Sequence, residues 1–204
     1  MIGNDIVDLK LAEKQSSWRR KGFLEKVFSA NEQAMIFEAE KPDLIVWRLW
    51  SMKESAYKAR LRVQKQIQIN PKDFDCQIVN DQKGMVHCGS KMYRTRSEIN
   101  DDFVHTQAFS KEFDDSLFSK VIAIDQSRSG SKQLYNAAIL SVVTSANPEE
   151  SDVVIRKNSL GIPELYKMGK KMPFLCSLSH HGRYGSYVIS DYQKNQNGVS
   201  PCKP

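Results

Sequence analysis

The clearest pattern in the chain is a stripe of apolar residues at alternating three- and four-residue steps. The stripe consists of Leu49, Met52, Ala56, Ala59 and Val63. This spacing places all five side chains on one side of an α-helix. Pro42-Asp43 supplies a start, because proline is favoured at the first helical position. The pattern predicts a helix from Pro42 to about Val63 whose apolar stripe faces the core.

Shorter patterns on either side predict further helices and strands. Residues 2–9 predict a short strand that carries two carboxylates, Asp5 and Asp8. Residues 23–28 have helical spacing, and Ser29 with Glu32 forms a capping-box pattern that opens another helix. Alternating segments predict antiparallel strands over Phe74–Val79, Met85–Cys88, Phe103–Phe109 and Val121–Ile124.

A second set of elements follows the polar stretch 125–132, which has the composition of a linker, and begins with a helix around Leu134–Val143. A constant shift of 77 residues superimposes Asn70-Pro71 on Asn147-Pro148, and it also matches Asp75 with Asp152, Ile78 with Ile155 and Gly84 with Gly161. We interpret this match as an internal repeat. It predicts an α+β fold of two similar units related by a pseudo-twofold axis, each with a helix packed on a small antiparallel sheet. The predicted units are residues 1–125 and 126–191, and residues 192–204 are predicted to form a flexible tail.

Composition narrows the class of protein. The 204 residues are 40% hydrophobic and carry a net charge of +6, which excludes disorder throughout and favours a polyanionic partner. No apolar run approaches the roughly 20 residues of a membrane helix, and the first residues lack a signal-peptide pattern. Four cysteines without metal-binding spacing predict reduced thiols. We therefore expect a cytoplasmic protein with no membrane segment.

Two segments contain carboxylates that could carry chemistry. On the predicted helix, Glu54 and Lys58 share a face with Trp47, Trp50 and Leu61, opposite the apolar stripe. One interpretation is an exposed Glu-to-Lys pair one turn apart, and Asp5 and Asp8 would then be a solvated edge or a turn cap. The other is that Asp5 and Glu54 converge on Mg²⁺ together with substrate phosphate oxygens, which Lys58 would also contact.

A third segment, Phe174–Tyr184, is rich in hydrogen-bond donors and contains Ser179 and His180. No glycine pattern around a serine indicates a hydrolase nucleophile, and neither a Walker loop nor G-x-G-x-x-G occurs. The segment is consistent either with a structural histidine or with binding of an anion.

Together these stretches resemble the 4′-phosphopantetheinyl transferase superfamily. Gly3-Asn4-Asp5-Ile6-Val7 resembles its G-x-D-I-(V/E) motif, and residues 50–58 resemble its (F/W)-(S/T/C)-x-K-E-(A/S)-x-x-K motif. Gly161-Ile162-Pro163 and Leu178-Ser179-His180 resemble the G-x-P and L-S-H elements. The motif order is similar to that of the single-unit holo-acyl-carrier-protein synthases. The length is similar to that of the two-unit type, which implies a monomer that contains both units.

This resemblance implies transfer of 4′-phosphopantetheine from coenzyme A to a serine of an acyl or peptidyl carrier protein, with release of adenosine 3′,5′-bisphosphate. Asp5 and Glu54 would bind Mg²⁺, and Lys58 would contact the pyrophosphate. His180 and Ser179 would bind the 3′-phosphate and adenosine end, and Gly161, Ile162 and Pro163 would present backbone to adenine. Val7 stands where an acidic residue occurs in some members, so water could take the third place on the metal. Either Glu54 or a water on the metal would accept the serine proton.

The partner predicted by the resemblance is an acidic carrier protein. Arg19, Arg20 and Lys21 lie where the family's carrier-recognition helix would fall, although a solvated basic face is the alternative. Further candidates for contact with coenzyme A phosphates are Arg128, Lys132, Lys157 and Arg183. The rival function is a basic nucleic-acid-binding module without enzymatic activity. It would need aromatic residues interleaved with Lys and Arg on a sheet face, and the sequence has no such signature.

Overall fold

The computed structural model describes residues 1–64, 70–110, 118–146 and 152–191. The chain is an α+β protein in which runs of helices and runs of antiparallel strands follow one another along the sequence. The helices are α1 (Leu9–Gln15), α2 (Phe23–Val27), α3 (Ala30–Glu38), α4 (Pro42–Gln64) and α5 (Gly130–Ala146), with a 3-10 turn at Pro71–Asp73. The strands are β1 (Ile2–Asp8), β2 (Asp75–Ile78), β3 (Lys83–Cys88), β4 (Lys91–Ile99), β5 (Phe103–Phe109), β6 (Phe118–Ala123), β7 (Val153–Lys157), β8 (Pro163–Lys167), β9 (Lys170–Lys171), β10 (Phe174–His181) and β11 (Tyr184–Asp191).

Helix α4 packs on a five-stranded antiparallel sheet with the order β1-β5-β4-β3-β2. The predicted stripe faces this sheet, and Leu49, Met52, Ala56 and Ala59 are all fully buried. The prediction is wrong for Val63, whose surface is 55% exposed. Ala59 already lies against Gly3, near the start of β1, so the last turn of the helix extends past the edge of the sheet.

The contact between α4 and β1 depends on glycine at position 3. A Cβ atom on Gly3 would lie 2.1 Å from the Ser55 carbonyl oxygen and 2.7 Å from the Ala59 nitrogen. Both are backbone atoms of a helix and cannot move aside, so any larger residue would push α4 away from the strand. This close approach places the Glu54 to Lys58 turn of the helix directly beside Asp5.

The remainder of the described chain forms a second α+β layer. Strands β10, β11 and β6 form one antiparallel sheet, β7, β8 and β9 form another, and α5 packs against both. In the first part β1 is followed by three short helices, the long helix α4 and then antiparallel strands, whereas in the second part β6 is followed directly by α5 and then by antiparallel strands. The pseudo-twofold relation stays a prediction, and Asn147-Pro148, part of the match that suggested it, lies outside the described residues, as does the tail 192–204.

Two details differ from the predicted division. Strand β6 pairs with β11, although the boundary at residue 125 would assign it to the first unit. Gly84 lies inside β3, whereas Gly161 lies in the turn before β8 with a φ of 75°, so that pair of the proposed repeat is not structurally equivalent. The division into two units remains a prediction.

Within the four described ranges, none of the helices has the length and apolar character that spanning a bilayer requires.

Candidate active site

The first and second parts of the chain meet along β1, whose outward-facing backbone N–H groups bond to side chains of β10. The amides of Asn4, Ile6 and Asp8 donate to Ser177 Oγ (3.0 Å), Ser179 Oγ (3.3 Å) and His181 Nδ1 (2.9 Å), respectively. Every second residue of one strand thus meets every second residue of the other in a fixed register. We call this row of three contacts the seam.

A hydrogen-bonded cluster lies at the centre of the seam and joins Asp5, Lys58 and Ser179. The Lys58 ammonium donates to Asp5 Oδ1 (3.1 Å), to the Asn4 carbonyl oxygen (2.9 Å) and to Ser179 Oγ (3.2 Å). The Ser179 hydroxyl donates to Asp5 Oδ1 at 2.8 Å. Lys58 is therefore paired with Asp5 across the helix–strand contact, so the interpretation of an exposed Glu54–Lys58 pair is wrong.

Glu54 lies beside this cluster without a hydrogen-bond partner among the described residues. The pKa of its carboxyl is raised from 4.5 to about 7, because burial and the charge of Asp5 raise it by more than the charge of Lys58 lowers it. Two neighbouring carboxylates, one of them without a donor, are an environment that a cation would stabilise. The donor set fits Mg²⁺, which needs only one or two protein carboxylates when phosphate and water supply the remaining ligands. Among the described residues no cluster of three or more His, Cys, Asp or Glu side chains could hold a metal.

A cavity of about 490 Å³ opens on the Glu54 side of the cluster. Asp5 and Glu54 lie in its wall together with apolar and aromatic side chains that include Phe23, Trp47 and Trp50. Ser16, Ser17 and Arg20 line it as well. We call it the first cavity.

A cavity of about 230 Å³ opens on the Lys58 side, and we call it the second cavity. Six residues predicted from the sequence as ligand contacts line it: Lys58, Lys157, Gly161, Ile162, Pro163 and His180. Arg62 and Lys157 add positive charge, and Leu61, Leu134 and Tyr135 add apolar surface. The second cavity thus combines cations with flat apolar walls, a chemistry suited to a phosphorylated nucleoside. His180 is exposed and lines both cavities.

The turn between β10 and β11 is attached to the start of α1. Asp8 caps that helix through the Leu11 amide (3.3 Å) and accepts hydrogen bonds from Arg183 N, Nε and NH2 at 2.9, 2.9 and 2.7 Å. Although burial opposes it, the Arg183 contacts hold the pKa of the Asp8 carboxyl far below its usual range. Arg183 also pairs with Asp102 at 3.2 Å. Its guanidinium is therefore engaged, and its prediction as a contact for coenzyme A phosphates is wrong.

The basic residues predicted to meet a partner have different environments. Arg19 forms a two-bond pair with Asp43 (2.9 Å for each bond) and lies over the Trp18 ring, so its charge is largely neutralised. Arg20 lies over Phe23 and lines the first cavity, and Lys21 is exposed. Arg128 is exposed and pairs with Asp125 at 3.4 Å. Of Arg19, Arg20 and Lys21, Arg20 is therefore the residue that lies at the candidate site.

Sequence reasoning missed Arg62 and His181. Arg62 donates to the carbonyl oxygens of Ile2 (3.1 Å) and Cys176, joining α4 to both strands of the seam, and burial lowers its pKa. Its position one turn beyond Lys58 on the same helix is a signal that could have identified it. His181 follows His180 directly, and only its contact with Asp8 N distinguishes it.

Comparison with known proteins identifies a family and a likeness to solved structures. A family model described as the 4′-phosphopantetheinyl transferase superfamily matches residues 1–116. Among solved structures, the chain is similar to the crystal structure of Thermotoga maritima holo-[acyl-carrier-protein] synthase, with 10% sequence identity, a TM-score of 0.43 and 83% of each chain covered. Comparison with curated proteins gives no match. The matched range contains Asp5, Glu54 and Lys58.

Proposed function

The chain belongs to the 4′-phosphopantetheinyl transferase superfamily, and from this premise we propose that it transfers 4′-phosphopantetheine from coenzyme A to a serine of an acyl or peptidyl carrier protein. The observation that carries the proposal is the convergence of Asp5, Glu54 and Lys58 with Ser179 and His180 between two adjoining cavities. The first three residues and the last two come from distant parts of the chain, and all five were predicted as site residues.

In the proposed reaction the carrier serine oxygen attacks the pantetheine-bearing phosphorus of coenzyme A. A phosphorus–oxygen bond forms, the phosphoanhydride bond breaks, and adenosine 3′,5′-bisphosphate leaves with the bridging oxygen. The serine O–H bond also breaks, and either the Glu54 carboxylate or a water would accept its proton. Lys58 is suited to neutralise charge on the pyrophosphate, because its ammonium lies between the two cavities. Ser179 has its only hydroxyl hydrogen on Asp5, so we assign it to positioning Asp5 and Lys58 for the ligand.

Asp5 and Glu54 would hold Mg²⁺ in this proposal. When bound, the ion supplies positive charge next to the pyrophosphate and so favours departure of the bisphosphate. Glu54 with a pKa of about 7 exchanges its proton near neutral pH, and the cation would compete with that proton for the carboxylate. Full occupancy of the Mg²⁺ site would therefore require both the Asp5 and the Glu54 carboxylate in the ionised form.

The second cavity would take the adenosine end of coenzyme A. Lys157 and Arg62 are suited to its phosphates, His180 to the 3′-phosphate, and Gly161, Ile162 and Pro163 to the adenine ring. An acidic carrier protein would approach the mouth of the first cavity, near Arg20 and Lys21. We include in the proposal a monomeric state. We also include a cytoplasmic location, which the free thiols of Cys76, Cys88 and Cys176 support.

Intact-mass analysis of an apo carrier protein tests this proposal. The carrier is incubated with the protein, coenzyme A and Mg²⁺, and we expect a mass increase equal to one phosphopantetheine group. Glu54→Gln should lower the rate by about 10³-fold, because it removes one of two charged ligands next to the pyrophosphate. Glu38→Gln, the same change at an exposed position of α3, is the control and should leave the rate unchanged. Absence of transfer to a panel of fatty-acid, polyketide and peptide carriers, or full activity of Glu54→Gln, would contradict the proposal.

A further inference from the structure

The last contact of the seam selects the tautomer of the neutral His181 ring. Its Nδ1 accepts the hydrogen bond from the Asp8 amide at 2.9 Å, so Nδ1 carries a lone pair and no proton. A neutral imidazole then carries its single proton on Nε2, which can only donate. The backbone of β1 therefore turns this side chain into a hydrogen-bond donor with a defined direction.

The donor edge of the ring faces away from the seam. Nε2 lies across the ring from Nδ1, and His181 is one of the residues that line the first cavity. Nε2 has no partner among the described residues. The half-buried ring thus offers an unused N–H in the same cavity as Glu54 and Trp50.

The two cavities differ in the chemistry that they offer a ligand. The second cavity has three cations, Lys58, Arg62 and Lys157. Among its described lining residues the first has one Lys or Arg, Arg20, and two carboxylates, Asp5 and Glu54. Much of its remaining wall combines the aromatic rings of Phe23, Trp47 and Trp50 with serine and histidine side chains that can hydrogen-bond to an uncharged polar chain. Pantetheine is an uncharged chain of two amides and a hydroxyl that follows the pyrophosphate of coenzyme A. With the bisphosphate in the second cavity and the pyrophosphate at Lys58, this arm would extend into the first.

On the basis of the proposed function, we propose that His181 is a substrate-binding residue whose Nε2–H donates to an amide or hydroxyl oxygen of the pantetheine arm. His181 would thus contact the phosphopantetheine group that is transferred, and not the adenosine 3′,5′-bisphosphate that leaves. Its role differs from that of His180, which is exposed and borders both cavities.

Two substitutions separate binding from the structural contact. In His181→Asn the amide oxygen takes the place of Nδ1 and can still accept from the Asp8 amide, but no donor reaches the cavity. In His181→Gln the longer amide reaches the place of Nε2, while the acceptor for Asp8 is lost. His87→Asn, on β3 and away from both cavities, is the control.

Binding is measured by calorimetry for coenzyme A and for adenosine 3′,5′-bisphosphate, which lacks the arm. We expect His181→Asn to raise the Kd for coenzyme A about 5- to 20-fold, the effect of one hydrogen bond, and to leave the Kd for the bisphosphate and the melting temperature unchanged. In transfer assays KM for coenzyme A should rise and KM for the carrier should not. His181→Gln should bind coenzyme A better than His181→Asn and melt at a lower temperature.

Several outcomes would overturn the inference. Unchanged coenzyme A binding in His181→Asn would show that the arm makes no contact with this ring. Equal loss for both ligands would assign His181 to the structure of the seam, and a rise in KM for the carrier alone would assign it to the protein partner. In each of these cases the wild-type protein still transfers the group. A wild-type protein that fails to bind coenzyme A would overturn the proposed function and this inference with it.

Discussion

Helix α4 takes part in two acid–base pairs on two different faces, and their surroundings differ sharply. On one face Lys53 lies 2.8 Å from Glu32, and their side chains are 1% and 0% exposed. On the other face Lys58 lies 3.1 Å from Asp5, with side chains that are 28% and 11% exposed. The two lysines are five residues apart, which points them in directions about 140° apart around the helix.

The Lys53–Glu32 pair has its hydrogen-bonding capacity used by the protein. Lys53 Nζ also donates to the carbonyl oxygens of Pro71 (3.1 Å) and Phe74. The Glu32 carboxylate accepts from the amides of Ser29 and Cys76, at 2.8 Å each. The pair thereby joins α3, α4 and the start of β2 and leaves no group free for a ligand.

The Lys58–Asp5 pair is accessible to a ligand, whereas the Lys53–Glu32 pair is not. It adjoins two cavities, and its neighbour Glu54 lacks a donor among the described residues. Consecutive residues of one motif, Lys53 and Glu54, therefore contribute to opposite tasks, the first to the framework and the second to the site. The difference suggests that incomplete pairing, more than burial, distinguishes the functional face of α4.

The largest expected effect is on stability, from Lys53→Met. The substitution leaves Glu32 charged, buried and without its counterion, which costs about 3–5 kcal/mol of unfolding free energy. Lys58→Met should cost about 1 kcal/mol or less, because that pair is partly solvated. Urea denaturation of the two variants measures both values. Equal losses would show that the two faces of α4 do not differ in the way described.

The second effect is on activity and concerns Lys58, the lysine with the smaller expected effect on stability. Lys58→Met should lower kcat/KM for transfer by about 10²-fold, because one charge next to the pyrophosphate is lost. Lys72→Met, at an exposed position, serves as the matched control. Both are assayed at a temperature well below their melting points. Activity of Lys58→Met within threefold of the control would remove this lysine from the proposed chemistry.

The smallest expected effect is a pH dependence of stability that Glu54 contributes in the metal-free protein. Its folded-state pKa of about 7 is above the ordinary value of 4.5, so the folded state holds the proton more tightly. This contribution is fully present below pH 4.5 and is lost as the pH rises through 7. Between pH 5 and pH 8 the wild type should lose about 2 kcal/mol more than Glu54→Gln.

Urea unfolding of both proteins in a chelator at the two pH values measures this difference. The Asp8 carboxyl, whose pKa is lowered by Arg183, contributes stability that is lost only as the pH falls, and it is common to both proteins. Added Mg²⁺ should reduce the difference at pH 8, because the cation stabilises the ionised carboxylate. Parallel pH profiles would indicate that Glu54 is not the unpaired group described.

Much of α4 and of the site could be predicted from local sequence. The apolar stripe and Pro42 define the helix, and the motifs identify Asp5, Glu54 and Lys58. Strand β4 was missed because two of its inward residues are Thr95 and Ser97 instead of apolar side chains. Ser97 bonds to Thr106 on the neighbouring strand at 3.0 Å, a compensation that a pattern of hydrophobic positions does not contain.

The contacts that complete the site could not be predicted, because they join residues more than 100 positions apart. The Ser179 hydroxyl reaches Asp5 across 174 positions of the sequence. Arg183 has the residue type expected for a phosphate contact, but Asp8 and Asp102 occupy it. Only the arrangement in space shows which of several basic residues are available.

The seam also has a consequence for the association of the chain with other molecules. An uncovered outer strand offers its amides to any extended segment, which makes it a template for aggregation. In this protein Ser177, Ser179 and His181 occupy three of those amides on β1 without adding a strand. A fragment ending at residue 116 would keep both carboxylates, yet it would expose that template and lose the hydroxyl that orients Asp5. Catalytic geometry and resistance to intermolecular strand pairing therefore depend on the same short row of side chains.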